Sequence, residues 1–500
     1  MFKLATTSSV YVLIILPLIS SLMCFISRQK SVNYFIYLFS TVISLAIIFS
    51  LGLKAVSFSK ITNDFEISTI SITQEFQLDI ISLFFLLVIS YIKLTINSLY
   101  HFNIERHIGS ELNQKTYAVL LLNIFAINSI LLTNNIFNLF VFCEIYIFTF
   151  LAICSSSNDQ RILKSAFNYF CLSSASSLLL LLAFITIYLC FGEASFNKIV
   201  DNFALVSEEN YWYLFLILFS ISLAIILKFF PLWIFYNNVK SSNNICDIVI
   251  IEVFFVTCLI GLYLALKFIN SFFGNNLLFV KFNYDILLII LSIVIISYSS
   301  FRIIKEKHLK HIAIDLSISN LGFILMALAI QNTNSIKAML YFIINNVFTN
   351  LALLVMAIFI KRNFKTSSIE QIYFSQKISN LISSFLKIFI PFVIGLPFTL
   401  LFFANYYLCL SLFEYNYTII GLILVVIANF AHFKLGLNLF RVLYYKDGQH
   451  YYHNLIIDKF DNKKIFQLAF FSNLIFIFFL IFNINFLEKF LTKFAQYFLL

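Results

Sequence analysis

Residues 138–154 read NLFVFCEIYIFTFLAIC, an apolar run with one carboxylate, Glu144, near its middle. On insertion scales an acidic side chain at the centre of a membrane helix costs roughly 2.5–3.5 kcal/mol, so it persists where it has a partner, a water-filled cavity or a function. Composition places the run in a membrane. Hydrophobic residues make up 61% of the chain and charged residues 11%, whereas a soluble domain carries about half and about a quarter. Apolar stretches of about 20 residues, each able to cross a ~30 Å hydrocarbon core as a helix, recur along the whole length. Their extents are 9–27, 33–53, 78–100, 117–134, 136–155, 167–192, 211–236, 246–270, 283–300, 312–330, 336–360, 379–411, 417–440 and 466–487. This predicts an all-α polytopic membrane protein of about 14 transmembrane helices. A β-barrel is excluded because the segments lack the apolar/polar alternation of lumen-facing strands. No A-x-A-like cleavage site follows a short apolar stretch, so no removable signal peptide is expected.

Charge sets the orientation. Connections after odd-numbered spans hold about 20 of the 33 lysines and arginines, including Arg302, Lys305, Lys307, Lys310, Lys361, Arg362, Lys365, Arg441, Lys463 and Lys464. Those loops are expected to be cytoplasmic, with both termini and loop 193–210 on the outer face. The net charge of +10 then reflects this bias and contact with anionic lipid rather than nucleic acid. The eight cysteines lie mostly inside spans without C-x-x-C spacing and read as small apolar residues. His308 and His311, like His450 and His453, fall in basic loops and read as solvated surface. No phosphate-cradling glycine loop, no Ser-His-Asp order and no soluble domain large enough for a nucleotide is visible. No cofactor or metal is expected.

What remains is a short set of ionisable residues at membrane depth: Lys93, Glu144, Lys228, Glu252, Asp315, Lys387 and Lys434. Lys387 lies near a span end, where its amine can reach the interface. Glu144 and Lys228 lie deepest, and intramembrane charge is functional by default. Two of the four prolines, Pro231 in ILKFFPLWIF and Pro397 in FVIGLPFTLLFF, interrupt apolar spans five spans apart. Breaks at corresponding places in two halves mark inverted repeats with a transport site near each break. Spans 4–8 and 9–13 thus become candidate five-helix repeats with broken helices 7 and 12. The domain division expected is 1–116 for an N-terminal three-helix segment, 117–270 and 271–445 for the two repeats, and 446–500 for a C-terminal loop and last helix.

Several stretches, in order, resemble a known family. LDIISLFFLLVISYIKLTINSLY carries a D-x-x-S opening at Asp79 and Ser82; NLFVFCEIYIFTFLAIC carries the glutamate, with Cys143 where an aromatic usually precedes it. SAFNYFCLSSASSLLLLLAFITIYLCFG, IGLYLALKF, HLKHIAIDLSISNLGFILMAL and GLPFTLLFF follow. Their order and spacing, from about residue 75 to 445, resemble the antiporter-like membrane subunits of respiratory complex I (NADH:quinone oxidoreductase) and of Mrp-type cation/proton antiporters. The resemblance implies a fourteen-helix core with two inverted five-helix repeats, and a multi-pass subunit of a bacterial inner membrane or an organellar inner membrane. Its partners would be other membrane subunits and the lipid bilayer, with quinone reached only indirectly. It further implies that Glu144 pairs with a seventh-helix lysine, here Lys228, as a proton-translocation pair.

The departures matter equally. The family lysine stands five residues before its proline, which is Ile226 here, whereas Lys228 stands three before Pro231. Leu259, Asn168, Asn346, Asn350 and Asn405 occupy places where the resemblance expects lysine or histidine, and an asparagine holds no proton. Glu252 and Asp315 are acids that the resemblance does not ask for and would allow a rearranged path; with Lys434, Pro231 and Pro397 they are second-line candidates. Two readings therefore stay open: a proton-translocating subunit, or a degenerate paralogue that serves as a structural subunit without ion transport.

Overall fold

In lipid every backbone polar group needs a partner within its own segment, so each apolar stretch folds as a helix. The structure, a computed structural model, describes residues 2–27, 29–58, 76–107, 112–156, 160–196, 198–199, 211–229, 235, 247–273, 284–364, 368–369, 380–414, 418–444, 480 and 483–499. Eleven helices among the described residues are long and apolar enough to cross a membrane. The chain divides into two compact units, Met1–Leu278 and Phe279–Leu500.

The first unit contains α1 (Phe2–Ile26), α2 (Lys30–Phe58), α3 (Ile80–His107), α4 (Leu112–Leu132), α5 (Ile136–Ser155), α6 (Gln160–Phe191) and α7 (Tyr211–Phe229). Its α8 is built from Asp247–Ile251, a π-helical Glu252–Thr257 and Cys258–Phe273. Helix α1 packs on α4, α2 on α3, α4 on α5, and α6 on α7. Helix α8 is buried almost throughout, while α6 turns Phe167, Leu178, Leu182 and Leu189 outward. Apolar residues on both faces suit the outer helices to lipid.

The second unit contains α9 (Tyr284–Lys305), α10 (Leu309–Ile330) and α11, which runs as Thr333–Asn345, a π-helical Asn346–Asn350 and Leu351–Phe364. It continues with α12 (Asn380–Ile394), α13 (Leu400–Phe413), α14 (Thr418–Tyr444) and α15 (Ile484–Leu499). Helices α10 and α11 form its buried centre. At both π segments a threonine donates to the carbonyl four residues back, Thr257 to Val253 and Thr349 to Asn345. A π turn disturbs the regular backbone ladder, and the hydroxyl supplies a partner to the carbonyl.

The two units share a connection pattern. In the first, the turn before α5 bridges the turn after α6, Asn135 to Ser195; in the second, the turn before α10 bridges the turn after α11, His308 to Ser368. Both bridge residues are displaced by the same 173 positions, from 135 to 308 and from 195 to 368. This common register matches the expected equivalence of spans 5 and 6 with spans 10 and 11.

Span 12 is broken where Pro397 predicts. Helix α12 ends at Ile394, Gly395 takes φ +81° and Phe398 φ +69°, and Thr399 caps α13 by accepting from Phe402 N at 3.3 Å. The Pro391 carbonyl accepts from both Gly395 N and Leu396 N, which closes the first half-helix. Helix α7 ends at Phe229, and Pro231 lies outside the described residues, as do His450, His453 and most of span 466–487. Pro17 and Pro391 also lie within helices.

The reading of Lys310 and His311 as solvated loop is corrected. Both are buried, because α10 starts at Leu309 rather than near 312, with His308 as its N-cap. Close approach of α9 and α10 depends on Gly322, where an added Cβ would lie 2.6 Å from Ile296 Cγ1 and 3.3 Å from the Ile296 backbone nitrogen. Gly322→Val is expected to force these helices apart at a cost of about 1–3 kcal/mol. Thermal denaturation of the detergent-solubilised protein should register this as a lowered Tm, while an unchanged Tm would contradict the packing.

Candidate functional site

Lys228 occupies the last turn of α7, where unpaired carbonyls give the helix end a partial negative charge that favours a cation. Its side chain is fully buried, and its Nζ donates to Glu144 Oε1 on α5 and, at 2.7 Å, to Ser177 Oγ on α6. Ser177 Oγ in turn lies 2.6 Å from Glu144 Oε1 as donor. Three helices therefore meet at one ion pair and one hydroxyl. Tyr169 on α6 donates its O–H to the Lys228 carbonyl at 2.7 Å and fixes the helix end. Phe140, one turn before Glu144, places its ring 6.0 Å from Nζ. The pair is open on one side only, since Glu144 keeps 27% of its side-chain surface while Lys228 keeps none.

Register decides which residue reaches this site. Ile226, where the resemblance expects the lysine, is 42% exposed on the outer side of α7. Two residues on, a rotation of about 200° brings position 228 inward.

A second ion pair lies in the same unit. Lys93 on α3 donates to Glu252 Oε1 at 2.5 Å and to Asn123 Oδ1 on α4 at 2.7 Å. Asn123 Nδ2 donates to Thr149 Oγ1 on α5 at 3.0 Å. Lys93 and Glu252 are both buried. Each residue stood out in the sequence, but 159 positions separate them and no local pattern joins them. Lys267 was missed altogether: it reaches the Thr133 carbonyl, beside the Tyr263 O–H that donates to Leu131 O at 2.7 Å. A basic residue late in a span is a signal for such a cap on a helix C-terminus.

The other candidates are dispersed. Asp315 is buried in α10 with its Oδ2 3.6 Å from Arg302 Nε, and Arg302 also meets Glu306 at 3.1 Å and Tyr298 Oη at 2.8 Å. Lys434 is exposed on α14, and Lys387 is half-buried with its amine 4.8 Å from the Tyr444 ring. Pro397 sits exposed in the break between α12 and α13. Asn405 donates to Asn429 at 2.9 Å, and Asn350 to Asn346 at 3.0 Å. In the common register of the bridged turns, Ser317 corresponds to Glu144 and Asn350 to Ser177; both are buried and uncharged.

Residues 133–431 match the model of the NADH:quinone oxidoreductase/Mrp antiporter transmembrane family. The chain belongs to that family. It is 26% identical over 339 residues to NADH-quinone oxidoreductase subunit N of Rickettsia felis, covering 66% of this chain and 72% of that protein. Its fold is similar to a chain of the Mrp complex from a Dietzia species, at TM-score 0.77 and 13% identity over 98% of this chain and 97% of the other. It is also similar to a chain of respiratory complex I from Thermus thermophilus, at TM-score 0.76 and 14% identity over 98% and 99%. The antiporter-like membrane subunit expected from the sequence is the class to which this chain belongs.

At Ser177 a single hydroxyl serves both charges. Ser177→Ala is expected to destabilise the unit by about 1.5–3 kcal/mol, the range for hydrogen bonds to charged groups, and Tyr169→Phe by about 0.5–1.5 kcal/mol. Paired Tm measurements would check the order, and a larger loss from Tyr169→Phe would sink this account.

Proposed function

We propose that this chain is a proton-translocating, antiporter-like membrane subunit of a multisubunit complex of the NADH:quinone oxidoreductase or Mrp kind, in a bacterial inner membrane or an organellar one. The observation that carries this reading is the contact of Lys228 with Glu144. Two unit charges ~4 Å apart in an effective dielectric of ~20 interact by about 4 kcal/mol. Small movements of α5 against α7 would therefore change how firmly the amine holds its proton. When the pair is closed, the ammonium is stabilised by the carboxylate. When it opens, the carboxylate no longer stabilises the ammonium, and Nζ can hand a proton through the Ser177 hydroxyl to Glu144, breaking one N–H bond at the amine, forming one O–H bond at the carboxylate and leaving a neutral amine and a carboxylic acid. The half-open side of Glu144 supplies its route onward, and Ser177, which both accepts and donates, can relay it. The subunit itself holds no flavin, iron–sulfur cluster or nicotinamide in this reading, and quinone is reached only through partner subunits.

A second reading has its own support. Ser317 and Asn350 stand in the second unit where the first has Glu144 and Ser177, and neither carries a proton charge at neutral pH. That fits a divergent member, or a structural paralogue that has ceased to move ions.

Replacing Glu144 by Gln keeps the shape and removes the charge. In vesicles carrying the assembled complex, translocation should fall on the order of 10²-fold, the scale contributed by a positioned proton donor or acceptor, while assembly survives. Unchanged proton flux with a loss of assembly would instead establish the structural role. A separate check uses register: Ile226→Lys combined with Lys228→Ile should leave translocation abolished, since position 226 faces outward. Recovery of flux would show that Lys228 is not the group in play.

A further inference from the structure

The Lys93–Glu252 pair is unused by the mechanism above. A buried ion pair alone says little about function, since apolar residues of similar volume often serve stability as well or better. Three features of this pair go further. Glu252 is the first residue of the π-helical turn, a distortion that concentrates at functional sites. Its side chain is wholly buried, yet Oε2 has no hydrogen-bond partner among the described residues. A carboxylate offers about four lone-pair sites, and here one oxygen is held by Lys93 while the other is left available. The polar chain from Lys93 through Asn123 also ends at Thr149 on α5, five residues after Glu144. Five residues are about 7.5 Å along a helix and about 140° around it. Helix α5 thus carries one ion pair toward α6 and α7 and is linked to another on its opposite side, toward α4.

We propose that Lys93 and Glu252 form a second proton-holding site, with Glu252 Oε2 as the atom that takes the proton, coupled to the Glu144–Lys228 pair across α5. This rests on the proton-translocating reading above. Uptake forms one O–H bond at Oε2 and turns a neutral ammonium–carboxylate pair into a singly positive ammonium–acid pair; release breaks that bond and restores neutrality. The added charge lies on one side of α5 and repels the Lys228 ammonium on the other, so loading the second site favours discharge of the first. Other titratable groups facing Glu252 among the described residues are Tyr37 from α2, whose O–H donates to the Lys93 carbonyl at 3.3 Å, and Tyr146 from α5. Cys258, six residues on in α8, donates to the Val253 carbonyl. Phenols and thiols are neutral at neutral pH, which leaves the carboxylate as the acceptor.

The test is the double substitution Lys93→Met with Glu252→Met in the complete complex, compared in vesicles with wild type and Glu144→Gln. Removing both charges together leaves no orphaned ion, so assembly should stay near the wild-type level, whereas proton flux should fall by at least about tenfold. Assembly with wild-type flux would overturn the proposal; if Glu144→Gln still abolishes flux, the first pair stands alone. Wild-type flux in both variants would overturn this proposal together with the reading it rests on. A second measurement decides the matter should the double variant fail to assemble. Infrared difference spectra of the wild-type complex across its working pH range should show a carboxylic-acid carbonyl band that shifts in Glu252→Asp. The absence of such a band would overturn the proposal.

Discussion

Hydrocarbon offers no hydrogen bonds, and the architecture of this chain follows from that constraint. Main-chain groups satisfy it by forming helices. The few ionic side chains at membrane depth satisfy it by finding each other, Lys228 with Glu144 and Lys93 with Glu252. Where the helices depart from regularity, local side chains answer for the freed backbone groups. Thr257 and Thr349 serve the two π turns, Lys267 and Tyr263 serve the end of α4, and Thr399 restarts the broken span.

The two units meet the constraint with different chemistry. The first keeps charge, in two ion pairs that converge on α5 from opposite sides. The second keeps amides and hydroxyls, with Asn346 paired to Asn350 and Asn405 to Asn429, and its buried charge among the described residues gathers near the start of α10, at Lys310 and at Asp315 beside Arg302. Asparagine chains conduct hydrogen bonding without storing a charge. Under the proton-translocating function proposed above, the first unit would hold protons and the second would pass them.

Much is legible in the sequence alone. Glu144 announced a membrane site because its cost in an apolar run has to be recovered, and Pro397 announced the break in span 12 because its ring cannot continue a helix. Burial of Lys310 and His311 was misjudged, since basic residues beside a loop read as surface. The helix start at Leu309 carries them into the core, and one residue of displacement turns a side chain by about 100°. Lys267 escaped the sequence reading, and its contact with the Thr133 carbonyl joins positions 134 residues apart that no local pattern links.

What the sequence by itself determined is the class: hydropathy sets the helices, proline the break, and ordered motifs the antiporter-like family. Only the tertiary structure decided the partners. Lys228 stood two residues from its expected register, and sequence spacing could not tell whether it met Glu144 or lipid. Lys93 and Glu252 are brought together by the packing of α3 against α8 across a sequence separation of 159. Hydropathy is a local property that each segment carries alone, whereas ion pairing depends on helix rotation and approach, which are settled only when all the neighbours have packed.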